Sequence, residues 1–294
     1  MNHQLHKAGF VSIIGKPNVG KSTLMNTLIE EKLSIITSKA QTTRHRILGI
    51  LNGEHFQIVY ADTPGMITPH YALQQSMMRF VNNAISDADI LLWLVDVREK
   101  KIEEMSKKKI IKRSLPIFLL INKIDLVSTT QLTKTVNYWS ENIEVTKIIP
   151  ISALEKTNIT QVFDTILNYL PEHPPYYPKD TLTDKPARFF VAEIIREKIL
   201  LHYQQEIPYS TEVVITEFKE GEQIIKIRAE INVERQSQKI ILIGKKGAAL
   251  KEVGIKARRD LEQFLQKKIF LEQHVKIVPA WRKKCHQLHR FGYS

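Results

Sequence analysis

Cysteine is nearly absent from this chain, which carries a single one, Cys285, in 294 residues. A disulfide within the chain and a cysteine-based metal cluster are therefore excluded, and such a sequence suits a reducing compartment. The longest apolar runs, such as 90–95 and 116–121, are strand-sized and fall well short of the ~18 residues of a membrane-spanning helix. The N-terminus leads almost directly into an apolar run at 10–14, so we see no signal peptide and expect a cytoplasmic protein.

Acidic residues are fewer than basic ones: 31 Asp and Glu stand against 43 Lys and Arg, a net charge of +12. The excess is uneven, because residues 188–294 hold 21 basic and 13 acidic side chains (net +8), whereas residues 1–187 hold 22 and 18 (net +4). A basic balance of this kind indicates a polyanionic partner. The alternative is an ordinary solvated basic surface, and the concentration of charge in the shorter part favours the partner.

Residues 15–22 read Gly-Lys-Pro-Asn-Val-Gly-Lys-Ser, a complete phosphate-binding P-loop. An apolar run before it predicts a strand and a periodic run after it predicts a helix, the order that the motif requires. Backbone N–H groups of such a loop meet phosphate oxygens. Lys21 is predicted to reach the β- and γ-phosphates, and the Ser22 hydroxyl to ligate Mg²⁺. The residues predicted to contact the nucleotide are Gly15, Lys16, Pro17, Asn18, Val19, Gly20, Lys21 and Ser22.

The segment Asp62-Thr63-Pro64-Gly65 comes directly after a predicted strand at 56–61. Ligands of open α/β sheets bind at this carboxyl edge. Asp62 is predicted to hold Mg²⁺ through a water molecule, and the N–H of Gly65 to meet the γ-phosphate. The whole segment, including Thr63 and Pro64, is therefore assigned to the nucleotide site.

Two later segments specify the base. Residues 122–125 follow the predicted strand at 116–121, and residues 152–154 follow the predicted strand at 147–151. The Asp125 carboxylate is predicted to accept hydrogen bonds from N1–H and the exocyclic amine of guanine, whereas adenine would leave it unpaired, a mismatch that gives about 10⁴-fold discrimination or more. Each segment alone is weak, but four motifs in order predict a guanine nucleotide. The residues predicted at the base are Asn122, Lys123, Asp125, Ser152 and Ala153.

The segment 39–46 is polar and lacks periodicity, which is typical of a switch loop. Thr42 or Thr43 is predicted to complete the Mg²⁺ shell and to sense the γ-phosphate, and the sequence does not choose between them. An Asn52-Gly53 turn then predicts a hairpin into the Asp62 strand. A second switch is predicted from Thr63 to roughly residue 79.

The sequence has no glutamine after Gly65 to orient the attacking water. Met66 stands at this position, where many switch GTPases carry that glutamine, so slow intrinsic turnover is expected. Our hypothesis is that Asn18 helps to bind K⁺, whose charge would act near the bridging oxygen. The alternative is that Asn18 only shapes the loop. The residues predicted to take part in catalysis are Lys21, Asn18, Thr42, Thr43 and Gly65.

The chain has room for about two domains. Closely spaced prolines rule out a helix or central strand over 171–186, so this segment is predicted to be a linker. It joins residues 1–170, an α/β guanine-nucleotide domain with a mostly parallel sheet, to residues 187–294. The lysine-rich run 100–113 is predicted to form the solvated face of a surface helix.

Residues 187–294 predict the order helix, strand, strand, helix, Gly-x-x-Gly, helix and strand, which is that of an α+β type II KH domain. Its segment Gly244-Lys245-Lys246-Gly247 matches the clamp that grips about four nucleotides of single-stranded nucleic acid. The alternative is a helix cap, and the surrounding basic residues favour RNA. The residues predicted to bind RNA are Ile243, Gly244, Lys245, Lys246, Gly247, Lys251, Lys256, Arg258 and Arg259.

The C-terminal segment 281–293 is basic and aromatic. It is predicted either to extend the RNA surface or to pack on the KH sheet, with Trp281 and Phe291 as core anchors. His286 and His289 have no carboxylate or cysteine at ligand spacing, so no metal site is expected there.

Taken together, these motifs resemble the Era family of bacterial GTPases. The stretches 189–198 and 206–210, Phe-Phe-Val-Ala-Glu-Ile-Ile-Arg-Glu-Lys and Glu-Ile-Pro-Tyr-Ser, strengthen the resemblance, which covers essentially the whole chain. It implies a GTPase that assists assembly of the 30S ribosomal subunit and binds the single-stranded 3′ end of 16S rRNA together with an adjacent helix. It also implies peripheral association with the inner membrane, and we expect a monomer. The pair Lys245-Lys246 stands where the clamp often has one lysine.

Three alternatives remain beside a nucleotide-controlled RNA switch. The first is a structural RNA-binding protein or RNA chaperone with a vestigial nucleotide site, which the intact motifs disfavour and which single-turnover hydrolysis would decide. The second, an RNA-modifying enzyme, lacks a second catalytic cluster. The third is a GTPase that binds anionic lipid, which liposome co-sedimentation in competition with RNA would separate.

Overall fold

The computed structural model describes residues 6–99, 107, 110 and 114–293. The chain divides into two compact units. The first comprises Met1–Ser34, Thr43–Thr68 and Met77–Asp184, and the second comprises Ile35–Thr42, Pro69–Ser76 and Lys185–Ser294. The lysine-rich run 100–113, predicted to lie on a surface helix, falls almost entirely outside the described residues.

A six-stranded sheet forms the centre of the first unit, with strand order β2-β3-β1-β4-β5-β6. The hairpin pair β2–β3 is antiparallel, and all other pairs are parallel. Strands β4 and β5 are buried along almost their whole length, as expected for strands covered on both faces. The strands are β1 (Lys7–Gly15), β2 (Ile47–Asn52), β3 (Phe56–Asp62), β4 (Ile90–Asp96), β5 (Ile117–Asn122) and β6 (Lys147–Pro150).

Four described helices accompany this sheet, three of them between strands and the fourth after the last strand. They are α1 (Lys21–Ile29), α2 (Ala72–Asp87), α3 (Thr129–Asn142) and α4 (Ile159–Tyr169). The strand and hairpin predictions are confirmed to within one residue, except that β1 begins three residues before the apolar run at 10–14. The predicted second switch is coil over 63–71 and helical from Ala72, so its end lies inside α2.

Residues 171–184 of the predicted linker 171–186 belong to the first unit and lie along the free edge of β2. The N–H of Ile50 donates to the carbonyl of Leu182 at 2.8 Å, and the N–H of Leu48 donates to Asp184 Oδ1 at 3.1 Å. Gln57 is fully buried and its Oε1 accepts from the N–H of Tyr176 at 2.7 Å. The proline-rich segment therefore covers a sheet edge that would otherwise expose unpaired backbone groups.

The second unit contains a three-stranded sheet of order β7-β8-β9, with β7–β8 antiparallel and β8–β9 parallel. Alternate β8 residues, including Ile225, Ile227 and Ile231, enter an apolar core with the helices. The elements are α5 (Ala187–His202), α6 (Ile207–Ser210), β7 (Glu212–Glu220), β8 (Ile224–Val233), α7 (Gln236–Ile243), α8 (Ala248–Leu265), β9 (Lys268–Ile277) and α9 (Cys285–Arg290). This order confirms the predicted type II KH topology. The ladder of β7 with β8 continues to Glu220, where β7 ends.

The C-terminal segment packs within the second unit. Trp281 is fully buried and its indole N–H donates to the carbonyl of Ser210 at 3.0 Å, while Phe291 meets its ring edge-on at 5.5 Å between centroids. The Tyr293 hydroxyl donates to Glu212 at 2.8 Å. Of the two interpretations, the structure supports aromatic anchoring on the KH core.

Within the described part of the chain, no helix is long and apolar enough to cross a membrane.

Candidate nucleotide site and nucleic-acid interface

The P-loop connects β1 to α1 and holds three residues at positive φ: Gly15 (150°), Asn18 (62°) and Gly20 (103°). Glycine is required at position 20, because a Cβ there would lie 2.3 Å from Nδ2 of Asn122. The Lys21 Nζ donates to the carbonyl of Lys16 at 2.8 Å across the loop. The loop is thus closed on itself, with its lysine directed into the concavity where phosphates bind.

Lys21 is buried, and burial lowers its pKa from the ordinary value to about 8, opposed by the charge of Asp62. A bound phosphate favours the ammonium form, so nucleotide binding raises this pKa. Affinity is therefore complete below about pH 8 and falls as the pH rises above it.

We predict that GDP affinity falls from pH 8 upward by up to about tenfold per pH unit, since binding must then return one proton to Lys21. Fluorescent-GDP titrations between pH 7 and 9.5 measure this slope. The Lys21→Arg variant is the comparator. Its guanidinium stays charged throughout, so its GDP affinity should fall with pH only because guanine itself titrates, as it does with both proteins. Identical slopes for the two proteins would contradict the assignment.

Three oxygen-bearing side chains meet beside the loop. Ser22 Oγ donates to Asp62 Oδ2 at 2.7 Å and is hydrogen-bonded to Thr43 Oγ1 at 2.8 Å. The other oxygen of Asp62, Oδ1, is buried and has no hydrogen-bond partner among the described residues. Burial raises the pKa of Asp62, and the Ser22 hydrogen bond and the Lys21 charge oppose that rise. An unpaired buried carboxylate oxygen among hydroxyls fits Mg²⁺, which prefers hard oxygen ligands.

The structure places the two switch threonines differently. Thr43 is buried beside Ser22 and Asp62. The hydroxyl of Thr42 is hydrogen-bonded to Thr37 Oγ1 at 2.7 Å and donates to the carbonyl of Lys39 at 2.6 Å. Of the two threonines between which the sequence did not choose, it is Thr43 that lies beside the oxygens of Ser22 and Asp62.

We predict that Thr43→Ala lowers single-turnover GTP hydrolysis at least about tenfold and raises the Mg²⁺ concentration needed for half-maximal rate, because it removes an oxygen from the cluster. The matched Thr42→Ala variant should stay within about threefold of the unaltered protein, since its hydroxyl bonds within its own loop. A larger loss in Thr42→Ala than in Thr43→Ala would reverse the assignment.

The segment 62–66 is locked against the P-loop. Thr63 Oγ1 donates to the carbonyl of Ile13 at 2.7 Å, and the N–H of Met66 donates to the carbonyl of Gly15 at 2.9 Å. A Cβ on Gly65 would lie 2.7 Å from Pro17, so only glycine allows this approach. The Met66 side chain packs against the apolar core and offers no group to orient water.

The two segments predicted to recognise the base lie together in the structure. Asn122 Nδ2 donates to the carbonyl of Val19 at 2.8 Å, and Asn122 Oδ1 accepts from the N–H of Ala153 at 2.9 Å. The two motifs are thereby tied to the P-loop through one buried amide. The Ser152 hydroxyl donates to Asp125 Oδ1 at 2.5 Å and so orients the carboxylate predicted to bind guanine.

Two carboxylates beside the nucleotide motifs were not predicted from the sequence. Asp96 ends β4 and forms an ion pair with Lys123, and Glu99, three residues later, forms one with Lys16. They belong to no phosphate or guanine motif, and their only sequence signal is position, since they follow a buried strand at the ligand-binding edge.

In the second unit, Gly244-Lys245-Lys246-Gly247 lies between α7 and α8 and forms a short 3₁₀ turn. Gly244, Lys246 and Gly247 have φ of 72°, 51° and 78°, and both lysines are exposed. Nothing lies within 4 Å of where a Cβ on Gly247 would stand. A Cβ on Gly244, in contrast, would lie 2.7 Å from Cβ of Ala249. The main chain is thus open at Gly247, beside two exposed cationic side chains.

The basic residues predicted along α8 fall on two faces. Lys251 and Arg258 are seven residues apart and therefore share one face. Lys256 and Arg259 instead line a groove of about 450 Å³ against α5, together with Lys198 and His202. Lys256 is paired with Glu252 at 2.7 Å, so part of the charge on this second face is neutralised.

Comparison with known proteins agrees with this geometry. A family model described as 50S ribosome-binding GTPase matches residues 10–123, and one described as KH domain matches residues 206–282. GTPase Era of Syntrophus aciditrophicus (strain SB) is 46% identical over 294 residues, covering 99% of this chain and 96% of that protein. GTPase Era of Staphylococcus haemolyticus (strain JCSC1435) is 44% identical over 291 residues, covering 98% and 97%.

Two solved structures are similar over almost the full chain, each with a TM-score of 0.94, 40% identity and coverage of 98% of this chain and 99% of the other. One is Era in complex with MgGDPNP and nucleotides 1506–1542 of 16S ribosomal RNA. The other is a variant of Aquifex aeolicus Era bound to GDP·AlF₄⁻. With a P-loop sheet, guanine motifs and a type II KH domain on one chain, and relatives matched along nearly its whole length, this protein belongs to the Era family of GTPases.

Proposed function

We propose that this chain is a GTP-hydrolysing switch that binds the single-stranded 3′ end of 16S rRNA and assists assembly of the 30S subunit. The observation that carries the proposal is the Gly244–Gly247 turn of a KH fold, which is open at Gly247 and exposes Lys245 and Lys246. A relative of 40% identity, similar in structure over nearly the whole chain, was solved with nucleotides 1506–1542 of 16S rRNA.

The clamp suits a phosphate backbone for two physical reasons. Glycines at positive φ let a sugar-phosphate approach the main chain, and the exposed Lys245 and Lys246 add cationic charge at the amino end of α8. Exposed isoleucines on α7, Ile240 and Ile241, offer apolar contact for unstacked bases.

A fluorescent oligonucleotide with the sequence of the 16S rRNA 3′ end tests RNA recognition. We expect it to bind the full chain at least about tenfold more tightly than a scrambled oligonucleotide of equal length and charge. Equal affinity for both would leave only electrostatic binding and contradict the proposal.

Domain roles follow the predicted division into residues 1–170, 171–186 and 187–294. Mg²⁺ would be held by Ser22 and Thr43 directly and by Asp62 through water, and it would supply positive charge to the phosphates during hydrolysis. Lys21 would bind the β- and γ-phosphates, while Asp125 and a backbone N–H of the segment 152–154 would hold guanine. In this arrangement the side chains of the protein bind the nucleotide and orient its phosphates for hydrolysis.

Nucleotide state is proposed to control RNA binding. The segment Ile35–Thr42, which contains the first half of the predicted switch loop 39–46, and the segment Pro69–Ser76 belong to the same compact unit as residues 185–294. Lys39 Nζ donates to the carbonyl of Tyr203, and the buried Arg196 donates to the carbonyl of Thr42 at 2.5 Å. The guanidinium of Arg282 stands 5.5 Å from the ring of Tyr71. Rearranging these segments around a γ-phosphate would alter contacts of the RNA-binding unit.

Such coupling must be reciprocal. If GTP tightens RNA binding, saturating RNA must tighten binding of a GTP analogue by the same factor. We expect about a tenfold effect, and an unchanged analogue affinity at saturating RNA would refute the coupling.

K⁺ is proposed as a second cation at Asn18. The side chain of Asn18 is exposed on the P-loop with left-handed backbone, and Met66 supplies no polar group. We predict that GTP hydrolysis is several-fold faster in K⁺ than in Na⁺ at equal ionic strength, because the added charge acts on the leaving oxygen. Equal rates in the two salts would exclude this role.

Cytoplasmic location, peripheral membrane association and the monomeric state remain predictions. Co-sedimentation with anionic liposomes, with and without competing RNA, separates lipid binding from RNA binding.

A further inference from the structure

Two carboxylates on one turn contact both halves of the nucleotide site. The turn follows β4, closes through the N–H of Glu99 donating to the carbonyl of Asp96 at 2.8 Å, and is joined to β5 by the N–H of Val97 donating to the carbonyl of Asn122 at 2.9 Å. Strand β4 lies between β1, which ends in the P-loop, and β5, which ends in the guanine motif. The turn is therefore placed to hold both loops.

Asp96 holds the guanine motif. Its Oδ2 lies 2.9 Å from Nζ of Lys123, and the same Nζ donates to the carbonyl of Asn18 in the P-loop at 2.6 Å. The guanidinium of Arg98 donates to both carboxylate oxygens at 2.9 and 2.8 Å. Burial alone would raise the pKa of Asp96, but hydrogen bonds from Arg98 and Lys123 outweigh it and hold the pKa well below its usual range. The carboxylate is thus ionised at any working pH.

The two residues joined by this contact both have left-handed backbones. Asn18 and Lys123 have φ of 62° and 68°; asparagine enters this region more readily than most residues, whereas lysine is strained there. Strain of this kind persists only where surrounding contacts fix it. The chain from Asp96 through Lys123 to the Asn18 carbonyl is such a contact.

Glu99 holds the other end of the P-loop. It forms an ion pair with Nζ of Lys16, whose main-chain carbonyl accepts from Lys21. The side chain of Glu99 is only 14% exposed, so the pair is less screened than a surface ion pair. Lys16 is consequently tied through both its side chain and its main chain.

We propose that Asp96 and Glu99 are positioning residues that keep the P-loop preformed through Lys123 and Lys16 and thereby prolong the residence of bound nucleotide. A loop already closed loses less conformational entropy when phosphate binds. The inference rests on the nucleotide site proposed above and concerns release rather than hydrolysis, because neither carboxylate belongs to the Ser22–Thr43–Asp62 cluster.

The test is stopped-flow release of fluorescent GDP from the full chain. Asp96→Asn and Glu99→Gln preserve side-chain shape and remove charge. We expect each to accelerate release about tenfold, while single-turnover hydrolysis at saturating GTP stays within about twofold. The control is Thr135→Val, which removes a hydrogen bond to the carbonyl of Val97 on the same turn and should leave release unchanged.

Double-variant cycles separate positioning from general destabilisation. Asp96→Asn should add nothing in a Lys123→Ala background, and Glu99→Gln should add nothing in a Lys16→Ala background. Release at the unaltered rate in both single variants, or an undiminished acceleration in those backgrounds, would overturn the inference. The unaltered protein is measured alongside, so a failure of the nucleotide site itself is distinguished from a failure of this inference.

Discussion

Replacement of Asp125 by asparagine is expected to weaken GDP binding by at least about a thousandfold and to create binding of xanthosine diphosphate. The carboxylate accepts from two donors of guanine, N1–H and the exocyclic amine. Asparagine would turn an N–H donor toward those donors, and a mispaired contact that the bound base desolvates costs about 10⁴-fold in discrimination. Xanthine carries an oxygen in place of the amine and can accept from the new donor.

The fold should survive this change. Asp125 is exposed, and Ser152 Oγ donates to its Oδ1, a hydrogen bond that an amide oxygen can also accept. Isothermal titration with GDP and xanthosine diphosphate measures the switch. Asp164→Asn, which removes the same charge from an exposed position on α4, is the control. Retained GDP affinity in Asp125→Asn would mean that this carboxylate does not meet the base.

The double variant Lys245→Asp/Lys246→Asp is expected to weaken RNA binding at least about a hundredfold. It reverses two cationic side chains at a turn where phosphate approaches the main chain, a change of four charge units. The dependence of log affinity on log salt should also fall by about 1.4, which corresponds to two lost contacts with a single strand. Nucleotide affinity should be unchanged.

A matched variant keeps this prediction specific. Lys267→Asp/Lys268→Asp makes the same charge change at exposed positions beyond the far end of α8, about 27 Å from the clamp along an 18-residue helix. Aspartate tolerates the left-handed backbone of Lys246, so the clamp should retain its shape. If both variants lost RNA affinity equally, the effect would be general electrostatics and the clamp assignment would be contradicted.

The nucleotide motifs could be predicted from sequence because their chemistry dictates both residue type and place. Phosphate requires a glycine-rich loop before a helix, Mg²⁺ requires oxygen ligands, and guanine requires a carboxylate at the carboxyl edge of a strand. Gly20 shows what the structure adds to this reasoning. The motif predicts a glycine at this position, and the structure shows why: a Cβ there would lie only 2.3 Å from Nδ2 of Asn122.

What sequence could not supply depends on the path of loops and on contacts distant along the chain. Thr42 and Thr43 are adjacent and chemically identical, so only the fold shows that Thr43 lies beside Ser22 and Asp62. Asp96 and Glu99 form ion pairs with residues more than 25 positions away, and no local pattern reports such pairs. Proline spacing excluded a helix over 171–186, but the hydrogen bonds of this segment to β2 required the folded sheet.

The most direct test of nucleotide-controlled RNA binding is the affinity of the full chain for a labelled oligonucleotide of the 16S rRNA 3′ end, measured by fluorescence anisotropy with GDP and with a non-hydrolysable GTP analogue. The account predicts binding at least about tenfold tighter with the analogue, within the usual range of allosteric coupling. Equal affinity in the two nucleotide states would contradict it, because the P-loop and the Gly244–Gly247 clamp would then act independently on this RNA.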